Sequence, residues 1–233
     1  MKILPASRLA VLFAVLSIPG IFLGGAVPAS AGPWSGEGRY SCPAPSDLSG
    51  VRSRKDLLGE HYSPADNLEA IDVFMIDRAQ RTLEIAMYAF TDRAIADAVI
   101  RAASRGVQVW IYRDGIQIRD RGDQTRRILA SRAGQSGLIR VLVKRNSSRN
   151  IMHLKAYAVD SAWLRTGSAN WSPPGEGSWC SWGRRPHRDQ QDNNLFLTDD
   201  PRQVRKFEET FRRIWSRGTN WTFRETPVER KSR

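Results

Sequence analysis

The stretch "HLKAYAVD", residues 153–160, sets an imidazole and an ammonium two positions apart at the entrance to an apolar run, in a chain with only 3 histidines. A strand turns over at every second residue, so His153, Lys155 and Tyr157 project from one face and Leu154, Ala156 and Ala158 from the other. Farther on, "GSAN" repeats the device: Ser168 and Asn170 share a face, and Gly167 lets the backbone approach something closely. If the two segments are neighbours in a sheet, one surface gathers an imidazole, an ammonium, a hydroxyl and a carboxamide. Lysine, serine and asparagine can grip the non-bridging oxygens of a phosphodiester and stabilise charge on its pentacoordinate state. Histidine can serve as nucleophile or as proton donor. A His beside a Lys on a strand is ordinarily a solvent-facing pair. The full spacing, His-x-Lys, then Asp160, then Gly-Ser-x-Asn, is too long a pattern to be casual.

The elements that must position these groups follow from periodicity. "SPADNLEAIDVFMIDRAQ" places Leu68, Ile71, Met75 and Ala79 on one helical face, with Ser63 and Pro64 as its start. "TLEIAMYAF" reads as a strand. Ile95, Ala98, Val99 and Ala102 mark a short amphipathic helix that Gly106 ends, and "VQVWIY" is a second strand rich in β-formers. A helix over 123–133, a strand "LIRVLV", and a hairpin of "LKAYAV" and "AWLRT" turning at Asp160–Ser161 come next. After an irregular stretch from Ser172 to about Asp192, "NLFLT" is a strand, and Val204, Phe207, Phe211, Ile214 and Trp215 line a last helix. Alternating strands and helices with one hairpin predict an α/β domain, a mixed β-sheet flanked by helices.

The 233 residues carry a formal charge of +12, which favours a polyanionic partner such as nucleic acid or an anionic lipid surface over a neutral one. Lys2 and Arg8 precede an apolar run and then Ala29-x-Ala31, the order of a secretory signal over residues 1–31. The competing reading is an uncleaved anchor, although Pro19, Gly20, Gly24 and Gly25 interrupt the run. Cleavage would leave 34 basic against 24 acidic residues and direct the protein to an exported, periplasmic or secreted, location. Cys42 and Cys180 then meet an oxidising compartment, and a disulfide between them is the expected use. Two distant cysteines without a histidine cluster give no zinc site, and no carboxylate cluster suits magnesium. Residues 32–60 form an irregular arm, 61–217 the catalytic domain and 218–233 a basic tail.

The spacing resembles the HKD motif of the phospholipase D superfamily. His153, Lys155 and Asp160 match its three named residues, and Gly167, Ser168 and Asn170 match its downstream part. Residues 61–217 are similar to the small single-motif bacterial endonucleases of that superfamily, in "YSPADNLEAI" and the following strands and in "NNLFLTDDPRQVRKFEETFRRIWSR". The resemblance implies a phospholipase D-like single domain with no cofactor. It makes His153 the nucleophile of a phosphohistidine intermediate, Lys155 and Asn170 ligands of the phosphoryl oxygens, and Ser168 a hydrogen-bonding partner. Asp160, at a turn, either shapes the backbone or touches substrate. The family's acidic residue that orients the histidine aligns with Asn193, next to Asp192. Asn can accept a hydrogen bond from imidazole but cannot stabilise imidazolium as a charge does. The segment "WSPPGEGSWCSWGRRPHRDQ" is longer than its counterpart in the small relatives. Trp171, Trp179 and Trp182 with Arg184, Arg185 and Arg188 would either stack on bases and neutralise phosphates or simply pack as a disulfide-anchored loop. His61 and His187 read as surface residues.

The chemistry needs one imidazole neutral for attack and another protonated for the leaving oxygen. The sequence holds one motif copy, so the second must come from a second subunit, which predicts a twofold homodimer with His153 facing its symmetry mate. Coupled imidazoles with apparent pKa values split around ~6.5 would give a bell-shaped pH profile. Three functions fit: a metal-independent endonuclease acting on DNA, with RNA left open; a phospholipase D-type enzyme acting on lipid head groups; and a silent nucleic-acid-binding protein, which the intact His153 and Lys155 disfavour.

Overall fold

The computed structural model describes residues 48, 50–146, 149–177 and 190–226. The signal segment, the arm before residue 48, Cys42, Cys180, Trp179, Trp182, Arg184, Arg185, His187 and Arg188 lie outside the described residues. The strands are β1 (Gly59–Ser63), β2 (Thr82–Met87), β3 (Gln108–Asp114), β4 (Ile139–Lys144), β5 (Lys155–Val159), β6 (Trp163–Gly167), β7 (Asn193–Thr198) and β8 (Trp221–Thr222). They form one sheet in the order β1-β7-β6-β5-β2-β3-β4-β8. Only β2–β3 and β3–β4 are parallel. Each of these pairs needs a crossover, and helices supply it: α2 (Arg93–Ser104) between β2 and β3, and α3 (Thr125–Ala130) with α4 (Arg132–Gln135) between β3 and β4. The other pairs are antiparallel, as the hairpin demands.

Alternation along the strands divides the core in two. Leu83, Ile85, Val109, Ile111, Tyr157 and Val159 are buried with residues of α1 (Leu68–Asp77) and α2 on one face. Ala86, Ala156, Ala158 and Leu164 face the other way, where Val204, Phe207, Phe211 and Ile214 of α5 (Pro201–Trp215) cover them. The alanines make a shallow bed that admits the phenylalanines. Burying each such side chain contributes about 1.5–3 kcal/mol.

Caps explain where the helices begin. The Asn67 side chain accepts from the Ala70 N–H at 3.0 Å, so α1 starts at Leu68 rather than at Ser63, which instead closes β1. The Asp92 carboxylate accepts from the Ile95 N–H at 3.0 Å at the start of α2. The helix read over 123–133 is broken at Ser131, which is extended and whose hydroxyl accepts from the Gly134 N–H to start α4. At the Asp160–Ser161 turn both residues have positive φ, 55° and 56°, the geometry that matches the twist of a hairpin. Two short edge strands escaped the sequence reading. β1 pairs with β7 although its start falls inside the arm, and β8 pairs with β4 although it falls inside the tail. Among the described residues no helix is long and apolar enough to cross a membrane.

Candidate active site

The chemistry-bearing residues converge on one edge of the sheet, at the C-terminal ends of the parallel strands, where an open α/β sheet ordinarily receives its ligand. β2 and β3 end there, β5 and β7 begin there, and β6 runs out into Ser168. The register sets Lys155 opposite Met87 on one side, and Gly167 opposite Leu195 on the next pair but one. The motif's two segments thus lie on adjacent strands, because Tyr157 pairs with Arg165 across β5 and β6.

His153 is exposed, one residue before the sheet hydrogen bonding of β5 takes hold. Its backbone is fixed from both sides. The Met152 N–H donates to Asp114 Oδ2 at 2.8 Å, and the Tyr88 N–H donates to the Leu154 carbonyl at 2.9 Å. The imidazole meets the Tyr88 ring edge-on, with centroids 4.5 Å apart. Lys155 is buried; its Nζ donates to the His153 carbonyl at 2.9 Å and lies 4.8 Å from the centre of the same Tyr88 ring. One aromatic face therefore spaces the nucleophile candidate from the cation. Partial burial, reinforced by the Lys155 charge, holds the His153 pKa below its ordinary value, against a pull upward from Asp114. Burial and the nearby Arg165 charge lower Lys155 to about 8. The first shift favours a neutral imidazole ready to attack, and the second reflects an ammonium that burial and Arg165 disfavour.

Ser168 bridges to β7: its hydroxyl donates to Asn193 Oδ1 at 3.0 Å and accepts from the Asn194 N–H at 2.9 Å. Gly167, at φ 146°, makes this possible, since a Cβ there would stand 2.3 Å from the Asn194 carbonyl oxygen. Asn170 Oδ1 accepts from the Ala89 N–H at 3.3 Å, which leaves its NH2 end for a phosphoryl oxygen. Asn193 gives its NH2 to the Gly175 carbonyl at 3.2 Å and to Gln191 at 3.3 Å, so its contacts run to Ser168 and this loop rather than to His153. Asp192 lines a shallow depression of about 290 Å³ with Tyr62, Ser63, Ser168 and Asn194.

Asp160 sits at the opposite end of β5. Its carboxylate accepts from the backbone N–H groups of Gln80, Arg81 and Thr82 at 2.7–3.1 Å. This ties the hairpin tip to the start of β2, a backbone-shaping role. His61 is half-buried on β1, with Nε2 2.9 Å from the Leu57 carbonyl, not a surface residue. Trp171 is fully buried against Phe90 and Tyr157, so it packs and cannot stack on a base.

A charge knot beneath the motif was not foreseen. Arg165 is fully buried, and its NH1 donates to the Lys155 and Ala169 carbonyls, both at 3.1 Å, clamping the two motif segments together. Its other donors reach Asp72 at 3.0 Å and Glu176 at 3.0 Å. Asp72 also accepts from the Tyr157 hydroxyl at 2.8 Å and the Trp171 indole at 2.7 Å. Burial and the neighbouring Asp72 push Glu176 well above the usual carboxylate range. The available signal was Asp72 set among Ala70, Ile71, Val73, Phe74, Met75 and Ile76 in the middle of α1. Among the described residues, no group of three or more His, Cys, Asp or Glu could hold a metal.

Comparison with known proteins agrees with this geometry. A family model described as cardiolipin synthase, PLD-like domain, matches residues 73–215. The mitochondrial cardiolipin hydrolase of Xenopus tropicalis is 29% identical over 146 residues, 61% of this chain and 59% of that protein. The human mitochondrial cardiolipin hydrolase is 29% identical over 150 residues, 62% and 50%. The chain thus spans little more than half the length of these curated relatives. NucT from Helicobacter pylori superposes with a TM-score of 0.57 at 21% identity, covering 70% of this chain and 97% of NucT. Phosphatidylserine synthase of Haemophilus influenzae gives 0.51 at 16% identity, covering 70% and 39%. These two share the fold. With the family model matched over more than half of its length, and the motif assembled at one sheet edge, the chain belongs to the phospholipase D superfamily of phosphodiesterases.

Proposed function

We propose that the protein is an exported, metal-independent endonuclease of low sequence specificity, cutting DNA, with RNA as a further substrate. The observation that carries this reading is the exposed His153 beside a buried, counter-charge-poor Lys155 at an open sheet edge of a strongly basic chain. An open edge accepts a polymer passing through, and positive charge adds affinity for each phosphate neutralised. His153 attacks phosphorus and forms the phosphohistidine while Lys155 and Asn170 meet the equatorial oxygens and Ser168 braces the site through Asn193. The imidazole of a second copy protonates the leaving oxygen and then activates water, so the working unit is a homodimer with paired His153 residues. Every charge in this scheme is met by a side chain, so cleavage should persist in EDTA.

A second reading, hydrolysis or transfer at a phospholipid head group, draws on a different observation. An open groove of about 730 Å³ begins at Leu154, next to His153, and runs over Leu164 and Phe207 with Arg202 and Lys206 at its rim. Acyl chains could lie there, and the curated relatives are cardiolipin hydrolases by name. The deciding experiment presents the purified protein in EDTA with plasmid DNA, RNA and cardiolipin vesicles in parallel. Plasmid nicking lost in His153→Ala supports the endonuclease; lipid turnover without nicking would replace it with the second reading.

A further inference from the structure

The same sheet edge continues past the site to β4 and β8, and what stands there is basic and aromatic. Lys144 ends β4, and its Nζ donates to Asn150 Oδ1 at 2.6 Å and to the Ile151 carbonyl at 3.1 Å, on the segment that leads into His153. Arg145 is exposed, with its guanidinium 5.6 Å from the centre of the Trp221 ring. Arg217 is exposed and near enough to the Tyr112 hydroxyl and to Lys144 to shift the titration of both. The turn carrying Arg217 and Trp221 is built, not loose. Asn220 accepts from the Tyr112 hydroxyl at 2.8 Å and donates to the Ile214 and Trp215 carbonyls at 2.9 and 3.0 Å. The nearest acids are spent on the fold: Asp114 is buried and accepts from Met152 and Asn146, and Glu225 accepts from the Thr222 N–H and hydroxyl.

We infer that Lys144, Arg145, Arg217 and Trp221 form a second phosphate-binding strip that holds the polynucleotide backbone on one side of the cleavage point. The inference rests on the endonuclease reading and adds the direction in which the strand runs. From β5 to β4 is three strand spacings, ~14 Å. At a rise of ~3.4 Å per nucleotide along one strand, the strip meets phosphates about four nucleotides from the one under attack. The guanidinium on the indole gives the strip a flat cationic surface suited to phosphate and base together.

The test measures binding of a fluorescent single-stranded oligonucleotide of ~12 nucleotides, within the usual site size, to full-length His153→Ala protein by anisotropy from ~50 to ~200 mM salt. Removing two phosphate contacts with Arg145→Gln/Arg217→Gln should lower the slope of log affinity against log salt by about 1.4, at ~0.7 per phosphate. Arg145→Lys/Arg217→Lys, which keeps both charges, should retain the slope. An unchanged slope in the Gln pair, while the parent protein binds and wild type nicks plasmid, would overturn the strip and leave the endonuclease reading standing. Loss of binding to cardiolipin vesicles with oligonucleotide binding intact would reassign the strip to a membrane surface. A parent that neither binds the oligonucleotide nor nicks DNA would overturn both.

Discussion

Replacing Arg165 by methionine keeps the bulk of a long side chain but removes the charge at the centre of the buried knot. The Lys155 and Ala169 carbonyls lose their 3.1 Å donors, and Asp72 loses its counter-charge while staying fully buried. Breaking a buried pair by deleting one partner costs about 3–5 kcal/mol, and the two carbonyl bonds overlap with that figure rather than add to it. Against a domain stability of about 5–15 kcal/mol, Arg165→Met should therefore remove roughly a fifth or more. The partners should respond unequally. Burial and the neighbouring Asp72 raise Glu176, so its charged form is the less favoured of the two carboxylates and Glu176→Gln should cost less than Asp72→Asn. Asp72→Asn strands Arg165 as a buried cation and should cost about as much as Arg165→Met. In the double variant Arg165→Met/Asp72→Asn neither charge is left alone, so its loss should fall short of the sum of the singles by about 2 kcal/mol or more. Urea unfolding followed by tryptophan fluorescence measures all four, with a common m-value as the check that the unfolded states match. Glu176→Gln costing as much as Asp72→Asn would refute the unequal response expected of the two carboxyl groups.

Three further outcomes are expected. In kcat/KM for an oligonucleotide, the alkaline limb set by the protonated imidazole should steepen from a slope of about −1 to about −2 near pH 8, as the free enzyme loses the Lys155 proton; a single slope persisting to pH 10 would contradict the depressed lysine. Burial and Glu208 raise Glu84 to about 7, so the stability tied to its neutral form is complete below its unfolded value of 4.5 and is lost as pH rises through about 7. Glu84→Gln should then be the more stable protein at pH 8 by about 1–2 kcal/mol, discounted for partial exposure, and match wild type near pH 4.5; thermal melts at the two pH values decide it. Asp160→Ala should cost about 2–4 kcal/mol through three orphaned N–H groups, and its activity should fall only as the protein melts. A drop in kcat at a temperature where this variant is fully folded would put the carboxylate into the chemistry.

The central strands and the last helix were legible because their side chains answer to one neighbour at a time. Leu83, Ile85 and Val109 alternate toward a single core, and Phe207 and Phe211 recur at helical spacing. β1 and β8 were not legible. Each is a short edge strand whose pairing comes from a partner far along the chain, Leu195 for His61 and Val143 for Trp221. In the site, Lys155 opens β5, whereas His153 precedes that strand and Ser168 and Asn170 follow β6, so the motif spacing rather than strand alternation made them legible. The Arg165–Asp72–Glu176 knot could not, since its three members come from β6, α1 and the loop after Trp171, and meet only once the sheet is assembled.

That knot also explains why the electrostatics of the site rest on one group. Arg165 meets Asp72 and Glu176, both at 3.0 Å, inside the knot, and its charge adds to the burial that lowers Lys155. Asp114, the acid nearest His153, gives its lone pairs to the Met152, Ile116 and Gln117 N–H groups and to Asn146. Among the described residues Lys155 is then a buried ammonium with no carboxylate partner, its donors reaching only the His153 carbonyl and the Tyr88 face. Burial, with the Arg165 charge, lowers its pKa. Under the proposed function a phosphodiester oxygen would supply that counter-charge, and charge building on it in the pentacoordinate state would meet Lys155 better than the substrate does. The cost of burying Lys155 is thus largest in the free protein and is relieved most at the transition state, the condition under which a binding group accelerates a reaction.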